Sequence, residues 1–237
     1  MSAFWYSVAL QWKLDIRSKA LLITCYVVPL LFFVMMGGIF TSVNPMAKET
    51  LVQSMTVLGV SMGALIGLPP TLLEAYQADR KKMYQANGIP MCLGLVSMFL
   101  SALIHLLILC AVLSIAAPLL FDAVPPSNPP LYFCVLVLLI AGSLSLGGIL
   151  GLAVKNQAKL TMISQLVFLP SIMLSGILFP IDLLPKPMKY IGKIFPAAWG
   201  YPLLVDFRLA NLWPLLAILA VTATICAVLL KRKESEL

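Results

Sequence analysis

Apolar residues run through this chain in long unbroken blocks, and polar residues are confined to the gaps between them. Six blocks, 20–40, 51–73, 93–116, 131–154, 160–179 and 212–230, contain no Asp, Glu, Lys or Arg. An α-helix rises about 1.5 Å per residue, so about 20 residues cross a hydrocarbon core ~30 Å thick. A charge at the middle of such a helix costs about 2.5–3.5 kcal/mol on insertion scales. The pattern therefore predicts an all-α membrane protein with six transmembrane helices. The first block follows Lys13, Arg17 and Lys19 but is longer than the apolar core of a signal peptide, so it is expected to be a retained span.

The stretch 2–19 has a different period. Phe4, Val8, Trp12 and Ile16 recur every fourth residue, and Ser7, Gln11, Asp15 and Lys19 mark another face. This predicts an interfacial amphipathic helix with its tryptophans at headgroup depth.

Charge then orients the spans. Lys and Arg gather before span 1, between spans 2 and 3 (Arg80, Lys81, Lys82), between spans 4 and 5 (Lys155, Lys159) and after span 6 (Lys231, Arg232, Lys233). By the positive-inside rule these segments are cytoplasmic, which puts both termini inside a multi-pass protein of the cell membrane. The loop before span 6 departs from the rule, because Lys186, Lys189, Lys193 and Arg208 would then lie outside. The net charge of +7 is explained by these span ends and their contact with anionic membrane lipid, and no basic stripe interleaved with aromatics points to nucleic acid.

Little in the sequence supports catalysis on the chain itself. The five cysteines lie in or beside apolar blocks without metal-ligand spacing, and His105 is the single histidine, so no metal site is expected. No phosphate-cradling Gly-x-x-x-x-Gly-Lys-Ser/Thr sequence occurs. Ser101 and His105 sit one helical turn apart in span 3, but with no acid nearby in sequence they read as packing residues, His105 bonding a neighbouring helix. Glycines at 59, 63 and 67 in span 2, and at 147 and 151 in span 4, predict close helix contacts.

Two segments between spans are unusual. Residues 74–90 are polar and free of helix breakers until Asn87-Gly88-Ile89-Pro90, predicting a helix that projects into the cytoplasm and turns back. Tyr76, Arg80, Met83 and Tyr84 recur along one side among charges, as in a partner-binding surface. Residues 181–210 are too apolar for a free loop and too broken by proline for a span, which predicts a pair of short helices re-entering the external leaflet.

The order of these elements, with Ser175-Gly176-Ile177-Leu178-Phe179-Pro180-Ile181-Asp182-Leu183-Leu184-Pro185 and then Ile194-Phe195-Pro196-Ala197-Ala198-Trp199, resembles the permease subunit of type-2 ATP-binding-cassette transporters along essentially the whole chain. The resemblance implies a single transmembrane domain over 1–237 that lacks ATPase activity. It implies a separate ATP-binding subunit, present in two copies and carrying ATP and magnesium, and a second, identical permease. It also implies a channel formed mainly by spans 1, 2 and 5. The loop after span 2 would be the coupling helix on the ATPase, carried by Glu74, Tyr76, Asp79, Arg80, Lys81, Met83 and Tyr84. Many members have Glu-Arg-Glu-x-Gly there, where this chain has Glu74-Ala75-Tyr76-Gln77-Ala78-Asp79-Arg80. The helical pair would cap the pathway as an external gate at Phe179, Pro180, Pro185, Tyr190, Phe195, Pro196 and Trp199.

Gln53, Ser164, Gln165 and Ser171 are the candidate pathway residues, since they are among the few polar groups inside the spans. So apolar an interior suits a hydrophobic or amphipathic cargo such as a drug, an antimicrobial peptide or a lipid. The expected function is therefore ATP-driven export. The alternatives are a secondary carrier or channel working alone, disfavoured by the lack of intramembrane charge, and a membrane anchor without transport.

Overall fold

The computed structural model describes residues 3–76 and 90–235, where all regular structure is helical. Nine helices organise it: α1 Ala3–Arg17, α2 Lys19–Val43, α3 Leu51–Ala75, α4 Met91–Phe121, α5 Pro129–Ala153, α6 Gln157–Met173, α7 Lys186–Gly192, α8 Pro196–Val205 and α9 Leu209–Ser235. Among the described residues, α2, α3, α4, α5 and α9 are the helices long and apolar enough to cross a membrane.

The block 160–179 departs from its expected form. Its helix α6 has 17 residues, a rise of about 25 Å, short of a ~30 Å core. Beyond Met173 the chain turns. Leu174 donates its N–H to the Pro170 carbonyl, the Ser175 hydroxyl donates to the Ile172 carbonyl at 2.7 Å, and Gly176 takes the left-handed conformation at φ +90°. At the other end of the scale α4 continues through Pro118 to Phe121, past the end of the expected block at 116, and Asp122 at φ 50° closes it.

The centre of the fold is α3. Of its apolar window 94% is buried, against 22% for α2 and 17% for α9. Around it stand α2, α4, α5, α6 and α8, while α9 packs mainly on α5 and α8. Both α2 and α3 contain a wide π-helical turn, Ile23–Val27 and Gly63–Gly67. Each lies just before proline: Pro29 in α2, and Pro69 with Pro70 in α3. A proline ring collides with the carbonyl four residues back, here those of Cys25, Leu65 and Ile66, and the wider turn moves them aside. The two π turns face each other, with the Cys25 sulfur seated against Gly63 and Gly67. The second glycine row meets the same helix: Gly147 lies on the Ala64 carbonyl and Gly151 on the Pro69 carbonyl.

The loops sort to two ends. Lys48 and Asp122 pair at 3.5 Å and Val124 donates its N–H to the Lys48 carbonyl, so the loops after α2 and α4 share one end. Residues 176–180 and Tyr201 enclose a cleft with Asn44–Ser54, and α8 ends beside Pro126–Asn128, which puts the segment between α6 and α9 at that same end. The α3–α4 connection, at Tyr76 and Pro90, lies at the opposite end, because α3 and α4 run through the fold in antiparallel directions.

Candidate functional site

Three regions hold the polar chemistry. The first is the base of the α3–α4 connection. Helix α3 stops at Ala75, and Tyr76 leaves the helical conformation as its cap. Glu74 is exposed, but Tyr76 is buried, with its hydroxyl donating to the Met91 carbonyl at 2.7 Å. Tyr76 therefore fastens the end of α3 to the start of α4, and as a buried residue it does not take part in the exposed partner-binding side expected of it. Asp79, Arg80, Lys81, Met83 and Tyr84 lie outside the described residues.

The second region joins α1 to α4. The stripe Phe4, Val8 and Trp12 does face the protein, whereas Ile16 is exposed. Ser7, Gln11 and Asp15 also face inward, while Trp5, Tyr6, Leu10 and Leu14 face out. The polar stripe thus turns toward α4, where Ser97, Ser101 and His105 repeat the same four-residue spacing. Ser7 and Ser97 share a hydrogen bond of 2.9 Å, and Ser101 donates to Asp15 at 2.5 Å. Gln11 donates to the second Asp15 oxygen at 2.8 Å. The Trp12 ring stacks on His105 with centroids 4.0 Å apart, and the Tyr26 hydroxyl meets His105 Nδ1 at 2.7 Å.

The sequence sets Ser101 and His105 one turn apart with no acid nearby. The structure supplies Asp15, but its carboxylate holds the serine rather than the imidazole, which is the wrong relay for a nucleophile. The two matched polar stripes, each at four-residue spacing, were the signal that could have found this cluster.

Burial pushes the Asp15 carboxyl above its ordinary value, against the opposing pull of the Ser101 and Gln11 hydrogen bonds and of His105. A raised folded-state pKa means that the ionised form costs stability at neutral pH, a cost that disappears as pH falls through that pKa. Asp15→Asn is therefore expected to melt at or above the wild-type temperature at pH 7. Asp15→Leu strands the Ser101 hydroxyl and is expected to lose about 1–3 kcal/mol. Thermal unfolding of the detergent-solubilised protein measures both, and an Asn variant less stable than the Leu variant contradicts the assignment.

The third region is the segment between α6 and α9. Pro185 caps α7, and Pro196 is the first residue of α8, buried against Gly142 of α5. Gly192 ends α7 so close to α6 that a methyl group there would lie 2.8 Å from the Leu174 carbonyl. Trp199 donates its indole N–H to the Lys193 carbonyl at 2.8 Å, locking the α7–α8 corner. The Lys193 ammonium stands over the Tyr190 and Trp199 rings, 5.5 and 5.8 Å from their centroids. Tyr190 and Trp199 thus meet at one cavity of about 560 Å³. Phe179 and Pro180 line a different cleft, shared with Phe40, Asn44 and Tyr201. Phe195 is half-buried between the two short helices.

The four pathway candidates do not form one lining. Ser164 and Ser171 share the inward face of α6, but Gln165 points outward from it. Gln53 is buried at the first turn of α3, beside a cavity of about 220 Å³ bounded by Asn128, Tyr132 and Leu203–Phe207. Among the described residues, Gln53 Oε1 and Ser164 Oγ are buried without a hydrogen-bond partner.

Comparison with known proteins agrees with this architecture. No curated protein matches the chain. The family model for the ABC-2 type transporter matches residues 2–207, from α1 through the end of α8. Members of that family are the membrane component of ABC transporters and normally work with an ATP-binding subunit. The chain belongs to the ABC-2 type transporter family, as a multi-pass permease.

Proposed function

We propose that this permease exports a hydrophobic or amphipathic substrate, driven by a separate ATPase that docks on residues 74–90. One observation carries the reading: the spans hold no Asp, Glu, Lys or Arg to couple an ion gradient to transport, so the driving force has to arrive through a partner. In this reading α6 and residues 174–180 together make the sixth crossing. The segment 181–210 is the external gate, and the α3–α4 connection faces the cytoplasm. The test is co-purification with the ATP-binding subunit, followed by a search for amphipathic compounds that stimulate its ATP hydrolysis. Hydrolysis indifferent to every permeant compound, with transport surviving ATP depletion in vesicles, contradicts ATP-driven export.

A second reading rests on Asp15. It lies outside the apolar spans, yet it is buried against Ser101 and close enough to His105 to interact with it, which gives a proton-coupled carrier one ionisable pair to work with. Transport that follows an imposed pH gradient without ATP, and stops in Asp15→Asn, selects this reading over export by an ATPase.

The exporter reading also expects two permeases. The outward faces of α2 and α6 are apolar, with Leu31, Met35 and Ile39 on the first and Met162, Leu166 and Leu169 on the second, all at least half exposed. An isologous pair is the commonest way to cover such faces. Cysteines placed at Met35 and Leu166 are expected to crosslink between copies when the ATPase is present. A one-to-one mass for the active complex, with no crosslinked pair at either position, excludes the arrangement.

A further inference from the structure

The cavity between α6, α7, α8 and the start of α9 carries a chemistry that gating does not need. Lys186 and Lys193 line it together with Lys189, and no Asp or Glu among the described side chains does. Asn211 of α9 adds a neutral polar side chain, and Tyr190 with Trp199 supplies aromatic walls. The lysines follow helical spacing along α7 and its cap, so one side of the helix delivers all three. The Lys193 ammonium is held within cation–π reach of both rings. A volume of about 560 Å³ fits a drug-sized or lipid-headgroup-sized ligand. Leu174, Ile181, Ala198 and Pro202 make part of the lining apolar.

The charge is also misplaced by the ordinary rule. Basic residues are depleted from external loops, yet in the proposed orientation this external segment carries Lys186, Lys189, Lys193 and Arg208. A function that needs cations outside accounts for their retention.

We infer that this cavity is a binding site for the anionic headgroup of an amphipath, a phosphate or similar group held by Lys186 and Lys193 with its apolar part against Leu174 and Pro202. The inference rests on the exporter reading, and it narrows the cargo of that exporter to anionic amphipaths that pause here on leaving. Ammonium–phosphate contacts are charge-assisted and so both shorter and stronger than neutral ones. The partly apolar lining favours a ligand with a hydrophobic body over a bare ion. Ordinary headgroup contact by exposed lysines is the competing explanation, and it differs in being non-saturable and indifferent to Asn211.

The test uses the full chain with Trp5, Trp12 and Trp213 changed to Phe, so that Trp199 alone reports. It is reconstituted in phosphatidylcholine vesicles containing rising fractions of bromine-labelled phosphatidylglycerol or bromine-labelled phosphatidylcholine. Quenching of Trp199 is expected to saturate with the anionic lipid and to favour it by about tenfold, the factor expected of one charge-assisted hydrogen bond. Lys186→Gln with Lys193→Gln is expected to remove the preference, and Asn211→Leu to weaken it. Inorganic phosphate added to the vesicles decides the source: displacement at millimolar concentration shows that bare phosphate is recognised, and no displacement shows that the lipid body is required. Equal quenching by the two lipids overturns the site, as does a linear rise untouched by the lysine and asparagine variants. Both leaflets carry the labelled lipid, so the result does not depend on orientation. Orientation is read separately, by reaction of Lys189→Cys with an impermeant maleimide in intact cells, in a chain whose own five cysteines are replaced.

Discussion

Replacing Arg80 and Tyr84 together with Ala is expected to reduce transport to background while expression and membrane insertion remain normal. Helix α3 carries the effect. This helix is enclosed along its length by α2, α4, α5, α6 and α8, so a displacement of its end cannot be absorbed by lipid and is passed to its neighbours. Its end is fastened to α4 by the Tyr76–Met91 hydrogen bond. A partner pushing on residues 77–89 therefore moves α3 and α4 together. Within α3 the motion first meets Pro69, Pro70 and the π turn Gly63–Gly67, the one stretch of the helix with a weakened hydrogen-bond ladder. Bending there shifts the facing π turn of α2 through Cys25. The measurement is ATP hydrolysis by the partner subunit with and without an exported compound, beside uptake into inverted vesicles. Substrate-stimulated hydrolysis and uptake at wild-type rates in the double variant would show that docking lies elsewhere. Tyr76→Phe separates the two parts of the argument: it keeps the docking face, loosens the strut, and is expected to reduce coupling only partly.

Much of the fold was legible because one strong rule governs it. A charge inside the membrane is so costly that the spans α2, α3, α4, α5 and α9 announce themselves as uncharged blocks, and their ends fall within a few residues of the expected positions. The block at 160–179 is helical only to Met173, and hydropathy cannot see the turn that follows because it is made of apolar residues. Leu174, Ile177 and Leu178 are as apolar in a turn as in a helix, and only Gly176 and Ser175 betray the break.

The glycine rows were readable as close-contact signals, but their partners were not, because a small side chain says that something approaches and nothing about what. Helix α1 covers Ala3–Arg17 of the stretch expected to be amphipathic, and part of its polar face packs beside its apolar stripe. Once Ser97, Ser101 and His105 offer hydrogen-bonding partners, burying Ser7, Gln11 and Asp15 is favoured over leaving both stripes in an apolar surround. The gate residues were named for their prolines and aromatics. The lysines beside them were read only as an exception to a charge rule, and their convergence on one cavity needed the α6 turn that sequence did not show.

Gly147→Ala is expected to destabilise the protein although it adds one methyl group to a helix interior. In a free helix the change is favourable by about 1 kcal/mol, because alanine loses less backbone entropy. Here the new methyl would overlap the carbonyl oxygen of Ala64, a backbone atom in the π turn of α3 that no rotamer change can move. The two helices must separate or α3 must shift. Overpacking of this kind costs about 1–3 kcal/mol even where side chains can adjust, and a backbone neighbour cannot. Gly38→Ala is the matched control. It lies in the interior of α2, where the nearest atom to the added methyl is a Phe121 ring carbon at 4.0 Å. That variant gains the helical preference without the clash and is expected to melt at or above the wild-type temperature. The pair differs only in what the methyl meets, so the comparison isolates the α5–α3 contact. A Gly147→Ala protein that unfolds no earlier than Gly38→Ala would show that α3 is not held against α5 as described. The buried centre through which the docking force is argued to travel would fall with it.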